Sequence, residues 1–258
     1  MPKPLSLAQH KFYVRLRREK KVRDAERLFL AEGIRTISEL LKAAPQSLLA
    51  LIQTQSSDFI TVPSEKVFIA SSKQFSALSD TEHSQGVIGI FEQPTVSPQT
   101  LFKTLETKAS SVVLVLDDVQ DPGNLGTLIR TAAWFGVDAV IASGGTADFF
   151  NPKVVRSTAG SLFALSLYRS ASLSDDLASL QKIGFTIYGA AMAGEDFLAT
   201  SFSAKTALVI GNEANGISEH VRQSLHKEIT ITGHRNKVES LNAAVSAGIL
   251  LSRICLHK

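Results

Sequence analysis

Beyond residue 110 the chain alternates between short, nearly continuous apolar runs and longer mixed stretches, and this alternation restricts the fold more than any other feature. The runs are SVVLVL (Ser111 to Leu116), DAVIAS (Asp138 to Ser143), LFALSLY (Leu162 to Tyr168), FTIYGA (Phe185 to Ala190), ALVIG (Ala207 to Gly211) and EITIT (Glu228 to Thr232). Successive strand residues point to opposite faces, so a run apolar at every position must be covered on both. That predicts an α/β fold with a mostly parallel sheet and helices on either side. The intervening stretches supply the helices: Gly123 to Phe135, Asn151 to Ala159, Leu173 to Lys182, Glu219 to Leu225 and Ser240 to Leu256.

The first part of the chain reads differently. Ser6 to Lys42 places Phe12, Leu16, Val22, Leu28, Ile34, Ile37, Leu40 and Leu41 in a charged background, a helical pattern that Gly33 interrupts or caps. Strand-like pieces follow at Ser47 to Ile52, Phe59 to Val62 and Val87 to Phe91, with helix-like residues at Ser64 to Ala70. EQPTVSPQT (Glu92 to Thr100) has two prolines and no long apolar run, the composition of a linker. The expected organisation is a small α/β domain over residues 1–93, a linker over 94–110 and a larger domain over 111–258.

Charge is unevenly placed along the chain. Residues 1–42 hold eleven Lys or Arg against five acids, a local charge of +6, which leaves −3 for the rest of a chain whose total is +3. Basic residues gathered at one end suit a polyanion such as nucleic acid, because each cation set against a phosphate releases counterions; a solvated helical face has the same composition. No apolar run approaches the roughly 20 residues of a membrane span. The N-terminus has no apolar core followed by a small-residue cleavage site, so no secretory signal is expected and the cytoplasm is the expected location. The single Cys255 can form neither an intrachain disulfide nor a Cys-based zinc site and is expected to pack in the last helix.

In a parallel sheet, ligands bind at the carboxyl ends of strands, which directs attention to three loops. DDVQDPGNLG (Asp117 to Gly126) turns sharply at Pro122 and Gly123, offers Asn124 as a helix cap and leads into the helix bearing Arg130. GNEANGIS (Gly211 to Ser218) sets glycines around Glu213, a loop able to wrap a flat ligand. TGHRNKVESLNAAVSAG (Thr232 to Gly248) carries Ser240 and Asn242 at the start of the last helix. Each also has a purely structural reading: Asn124 as a cap, Arg130 as a surface ion-pair partner, Glu213 as a loop brace, Ser240 as a helix start. No GxGxxG follows an early strand and no GxxxxGK(S/T) occurs, which disfavours dinucleotide and P-loop binding. The six histidines show no metal-ligand spacing, so no metal is expected.

Taken together and in order, DDVQDPGNLGTLIRTAAWFGVDAVI, NPKVVRSTAGSLF, LVIGNEANGIS and KVESLNAAVSAGILL resemble the SpoU (TrmH-like) family of RNA ribose 2′-O-methyltransferases. The match spans residues 112 to 258. KFYVRLRREKKVRDAERLFLAEGIRTISELL is similar to the ribosomal-protein-like RNA-substrate-binding domain that many members carry ahead of the catalytic domain, in keeping with the charge asymmetry. The resemblance implies a C-terminal trefoil knot of the SPOUT class, S-adenosylmethionine as methyl donor, and a homodimer acting on RNA, ribosomal RNA favoured over transfer RNA, with neither DNA nor membrane as a partner. It carries catalytic roles to Asn124, Arg130, Glu213, Ser240 and Asn242, and cofactor contacts to Gly211, Ile231 and Leu241. Where the family commonly has Ile-Pro-Met, this chain has Ile231, Thr232 and Gly233, and His234, Arg235 and Asn236 make the following loop about one residue longer.

Those residue types suit the reaction. A ribose hydroxyl is a weak nucleophile, so in-line methyl transfer needs alignment and partial proton removal. The resemblance gives Arg130 orientation of the hydroxyl and the adjacent phosphate together with assistance in deprotonation; because a guanidinium is a poor general base, the phosphate-binding and transition-state role carries more weight than literal proton abstraction. Two other readings stand beside this one: a knotted methyltransferase acting on a base, and a non-catalytic RNA-binding or ribosome-assembly protein.

Overall fold

The computed structural model describes residues 2–54, 60–234 and 240–256. The chain forms two compact units, one of residues 1–94 with 148–164, the other of residues 95–147 with 165–258. The cut does not follow chain order, since residues 148–164, embedded in the stretch read as the larger domain, fold with the first unit.

The first unit contains strands β1 (Lys3–Pro4), β2 (Leu28–Glu32), β3 (Leu48–Gln53), β4 (Val67–Ile69) and β5 (Val87–Glu92), in the order β1-β4-β3-β5-β2. Its helices are α1 (Leu7–Arg18), α2 (Lys20–Glu26), α3 (Ile34–Ala43) and α4 (Ser72–Leu78). Two corrections to the expected pattern stand out. Leu28–Glu32 breaks the helix expected over Ser6 to Lys42 and pairs antiparallel with β5. Phe29, Leu30 and Ala31 are fully enclosed although β2 is an edge strand: Phe150 and Phe163 of the returning segment pack in tilted contact with Phe29 at ring-centroid distances of 5.3 and 6.1 Å, while Leu30 joins the cluster of Tyr13, Leu16 and Phe75. The second correction concerns Ser64–Ala70, a 3-10 turn followed by β4 rather than a helix, while Ile60–Val62 forms no strand; Phe59 lies outside the described residues.

The second unit begins with α5 (Pro98–Glu106), capped by Ser97 and carrying Leu101 and Leu105 into the core, in a stretch whose prolines read as a linker. Pro98 in fact sits in the first turn, where proline is preorganised for a helix. Strands β6 (Ser111–Leu116), β7 (Ala139–Ala142), β8 (Ser166–Arg169), β9 (Thr186–Asp196), β10 (Lys205–Ile210) and β11 (Lys227–Thr230) follow. They form one sheet in the order β11-β9-β10-β6-β7-β8, every pair parallel. Helices α6 (Pro122–Trp134), α8 (Leu173–Lys182), α9 (Glu219–Arg222) and α10 (Ala243–Leu256) complete the unit, while α7 (Pro152–Ser157) belongs to the first. All six β6 residues are buried, as a strand covered on both faces requires. The run expected as a strand from Leu162 starts only at Ser166, after a 3-10 turn; β9 extends past Ala190 to Asp196; and the last helix begins at Ala243 rather than Ser240.

Strand order reverses around β6 and β10, which lie side by side with Leu116 opposite Ile210. The chain therefore leaves both strands at the same edge of the sheet, and the Asp117 amide donates to the Ile210 carbonyl at 2.9 Å. This is the crevice where parallel sheets bind ligands. Among the described residues no helix is long and apolar enough to cross a membrane.

Candidate active site

The loop after β6 enters α6 through Asp121, whose Oδ1 accepts from the Asn124 amide at 2.7 Å, with Pro122 in the first turn. Asp121, not Asn124, is thus the N-cap. An Asp before a Pro at the first helical position is a recognised start signal, and it leaves the Asn124 side chain free for another use.

That use is a hydrogen-bonded chain joining three loops. Asn242 Oδ1 accepts from the amides of Ala244 and Val245 at 2.9 and 3.3 Å, capping α10. With its oxygen occupied, Asn242 presents Nδ2, which donates to Asn124 Oδ1 at 2.9 Å. Asn124 must then donate through its own Nδ2, and it does so to Glu213 Oε1 at 2.9 Å. A helix cap therefore fixes the polarity of the chain, Asn242 to Asn124 to Glu213, with the carboxylate as the acceptor end. An amide can face either way in isolation; here the direction follows from the donor and acceptor inventory.

The other expected site residues take varied positions. Gly211 follows β10 directly and is buried, and a Cβ there would lie 2.3 to 2.4 Å from the backbone of Gly216 and Ile217. Its loop closes on itself too tightly for any side chain, so the need for glycine comes from this closure. Ile231 is half-buried just after β11, and Leu241 is 49% exposed beside Asn242, with exposed Ser240 preceding it. Arg130 lies six residues beyond Asn124 on α6, about 9 Å along the axis and roughly 120° round it. It is exposed, and no hydrogen bond or ion pair joins it to the Asn124 cluster. The structure thus unites Asn124, Glu213 and Asn242 and leaves Arg130 on a neighbouring face. Arg235 and Asn236 of the loop after β11 lie outside the described residues.

Exposed Leu241 and half-buried Ile231 offer apolar surface and Glu213 offers an acceptor, side-chain types that an S-adenosyl group can use. Comparison with known proteins agrees. Residues 111–252 match the model of the SpoU rRNA methylase family. The chain belongs to that family. This SpoU methylase is accordingly a methyltransferase acting on RNA with S-adenosylmethionine as methyl donor. Residues 10–89 match a second model, the MRM3-like substrate binding domain. Among relatives, the chain is 34% identical to 23S rRNA (guanosine(2553)-2'-O)-methyltransferase RlmP of Bacillus subtilis, with 90% of each chain covered. It is 31% identical to 23S rRNA (guanosine-2'-O-)-methyltransferase RlmB of Coxiella burnetii, over 86% of this chain and 93% of that one. The crystal structure of an AdoMet-bound rRNA methyltransferase from Sinorhizobium meliloti superposes with a TM-score of 0.85 at 29% identity, covering 99% of this chain and 97% of the other.

Sequence reasoning missed Asp121 as the cap, although Asp-Pro signalled it. It also missed Asn212, which lies within the quoted GNEANGIS loop without being singled out.

Proposed function

We propose that this SpoU methylase transfers a methyl group to a ribose 2′-hydroxyl of ribosomal RNA, with residues 111–258 carrying the reaction and residues 1–93 engaging the RNA. The observation that carries the reading is the polarity of the Asn242, Asn124, Glu213 chain at the carboxyl ends of the strands, which ends on an acceptor as a hydroxyl nucleophile requires. The named 23S rRNA 2'-O-methyltransferases, alike over nearly the whole chain, support the ribosomal substrate.

The roles follow from the geometry. Gly211, Ile231 and Leu241 would hold the methyl donor, which supplies an electrophilic methyl carbon on a sulfonium. Asn124 is held by two side-chain hydrogen bonds, and through one of them it orients the exposed Glu213 carboxylate. Glu213 has one carboxylate oxygen engaged by Asn124 and the other to offer a donor hydroxyl. Ser240, exposed beside Leu241, adds a hydroxyl at the rim of the crevice. Arg130 supplies a guanidinium for the phosphate next to the reacting ribose.

A homodimer in the cytoplasm completes the proposal. Trp134 is 85% exposed and lies one helical turn from Arg130, while Val245 and Leu256 are exposed along α10. Large apolar side chains left in water on two neighbouring helices support a partner surface, and a second copy placed there would bring its own Arg130 with it. The knotted chain path implied by the family is part of the same proposal.

The test is to map 2′-O-methyl positions in RNA from a strain lacking the protein and from its parent. Loss of one ribose methylation in ribosomal RNA, restored by the wild-type gene but not by Glu213→Ala, is expected. Loss of a base methylation would favour the base-modifying reading, and an unchanged map the binding-protein reading.

A further inference from the structure

Glu213 sits in an exposed loop, and one hydrogen bond from Asn124 does not by itself settle where that loop stands. Beside it, Asn212 makes three bonds with one side chain. Its Oδ1 accepts from the amides of Ala214 and Asn215 at 2.9 and 3.1 Å, folding the loop around it. Its Nδ2 crosses to the other loop and donates to the Asp118 carbonyl at 2.8 Å. Its backbone exchanges two 2.9 Å bonds with Gly216, closing the turn that carries Glu213.

The receiving carbonyl is itself held in an unusual setting. Asp118 has φ +59°, a conformation that non-glycine residues adopt only at a cost. Ser143 Oγ accepts from its amide and donates to its Oδ1, each at 2.9 Å. Gly145 leaves the room that its carboxylate fills, since a Cβ at Gly145 would lie 2.0 Å from Asp118 Oδ1. A strained residue kept by its surroundings in this way is a mark of a functional region. In this conformation the Asp118 carbonyl accepts from the Asn212 amide.

We infer that Asn212 is a positioning residue for methyl transfer: its cross-loop bond to the Asp118 carbonyl sets the distance at which Glu213 meets Asn124. The two halves of the Asn212 side chain have separate tasks. The oxygen shapes the loop, and the amide nitrogen places the loop against the one that bears Asn124. A second tie, in which the Ser218 amide and hydroxyl both donate at 2.7 Å to the buried Asp117 Oδ2, anchors the far end of the same loop. Ser218 is separated from Glu213 by the Gly216 turn, so this tie contributes to stability rather than to placement of the carboxylate.

The inference rests on Glu213 acting in the reaction, and the experiment separates the two claims. The probes are an unmodified 23S rRNA transcript and tritiated S-adenosylmethionine, with kcat and KM measured for wild type, Asn212→Asp, Asn212→Ala, Glu213→Ala, the double variant Asn212→Asp/Glu213→Ala, and Ser218→Ala. Asn212→Asp keeps the acceptor oxygen but sets a carboxylate against the Asp118 carbonyl. Its kcat is expected to fall about 10- to 100-fold, the scale of a 1 Å misplacement of a reacting group, with KM for S-adenosylmethionine changed less than about twofold and Asn212→Ala falling by a similar factor. In the Glu213→Ala background the same change is expected to lower kcat by less than about twofold, because residues that act as a unit are not additive. Ser218→Ala is expected to lower the melting temperature while keeping kcat. Equal losses from Asn212→Asp in both backgrounds, or none in the wild-type background, would overturn the inference while leaving Glu213 in place. An unimpaired Glu213→Ala would remove both claims together.

Discussion

Replacing Asp148 with Ala removes the carboxylate that, among the described residues, pairs with the buried Arg23 of the first unit. Arg23 is 3% exposed, and its Nε and Nη2 both lie 2.8 Å from Asp148 Oδ2. Its Nη1 is committed elsewhere, donating at 2.9 Å to the carbonyls of Leu16 and Arg17 at the end of α1. The guanidinium therefore cannot turn to water without giving up the closure of α1. Removing one partner of a buried pair costs about 3–5 kcal/mol, and the lost bond from the Phe150 amide to Asp148 Oδ1 adds about 1 kcal/mol or less. A loss of about 4 kcal/mol is nearly a thousandfold in the opening equilibrium of that unit. Hydrogen exchange of individual amides reads this directly. Amides of Phe29 to Ala31 in β2 and Ile88 to Phe91 in β5 should exchange about a thousandfold faster, while those of β6 and β10 keep their rates. The pair Arg23→Met with Asp148→Leu should recover most of the loss, since well-packed apolar replacements of buried ion pairs are often neutral or better. If Asp148→Ala slowed or left unchanged the exchange of β2, or accelerated β6 and β10 equally, the argument for a buried charge that belongs to the first unit alone would be refuted.

Other outcomes follow from the site and its supports. Asn242→Asp keeps the cap on α10 but cannot donate to Asn124, so kcat should fall about tenfold or more with the melting temperature nearly unchanged; a drop in melting temperature at full kcat would contradict this. Asn124→Asp sets two carboxylates against each other and should lower kcat by about 100-fold, measured by methyl incorporation under saturating donor. Arg130→Lys keeps the charge but not the planar fork, so single-turnover methylation should retain more rate than with Arg130→Ala, and more so at low salt. Burial pushes the Asp138 carboxyl up, but hydrogen bonds from Lys108, Ser111 and the Val112 amide outweigh it and hold the group below the usual carboxylate range. Its stabilising effect is therefore present above that range and lost as pH falls through the depressed value. The melting-temperature advantage of wild type over Asp138→Asn should be flat near neutrality and vanish in acid, and an advantage that grows in acid would reverse the assignment.

What could be read in the residues depended on how local the cause was. β6, β7 and β10 were legible because both faces of each are apolar, and Leu173 to Lys182 coincided with α8 because Ser172 caps it and Lys182 closes it. LFLAE (Leu28–Glu32) was not legible as a strand, since part of the cover that buries it comes from Phe150 and Phe163, more than a hundred residues further along. VFI (Val67–Ile69) is too short for periodicity to register. Gly160, at φ +95° and close enough to α3 that a Cβ would lie 2.4 Å from Glu39 Cβ, marks the same long-range docking within the first unit. At the site, the order of motifs pointed to Asn124, Glu213 and Asn242 together. The direction of their hydrogen bonds did not follow from it, because the bonds span 89 and 118 residues and are oriented by the cap on α10.

The central claim is that this chain of three side chains serves methylation of a ribose hydroxyl, and the position of the transferred methyl tests it most directly. Purified protein, tritiated S-adenosylmethionine and unmodified 23S rRNA transcript give labelled RNA that can be hydrolysed in alkali. A 2′-O-methyl group blocks cleavage at its own nucleotide, because the hydroxyl needed for cleavage is gone. Label recovered in an alkali-stable dinucleotide, and absent with Glu213→Ala, is the predicted result. Label recovered in mononucleotides, carried on a base, would contradict the account.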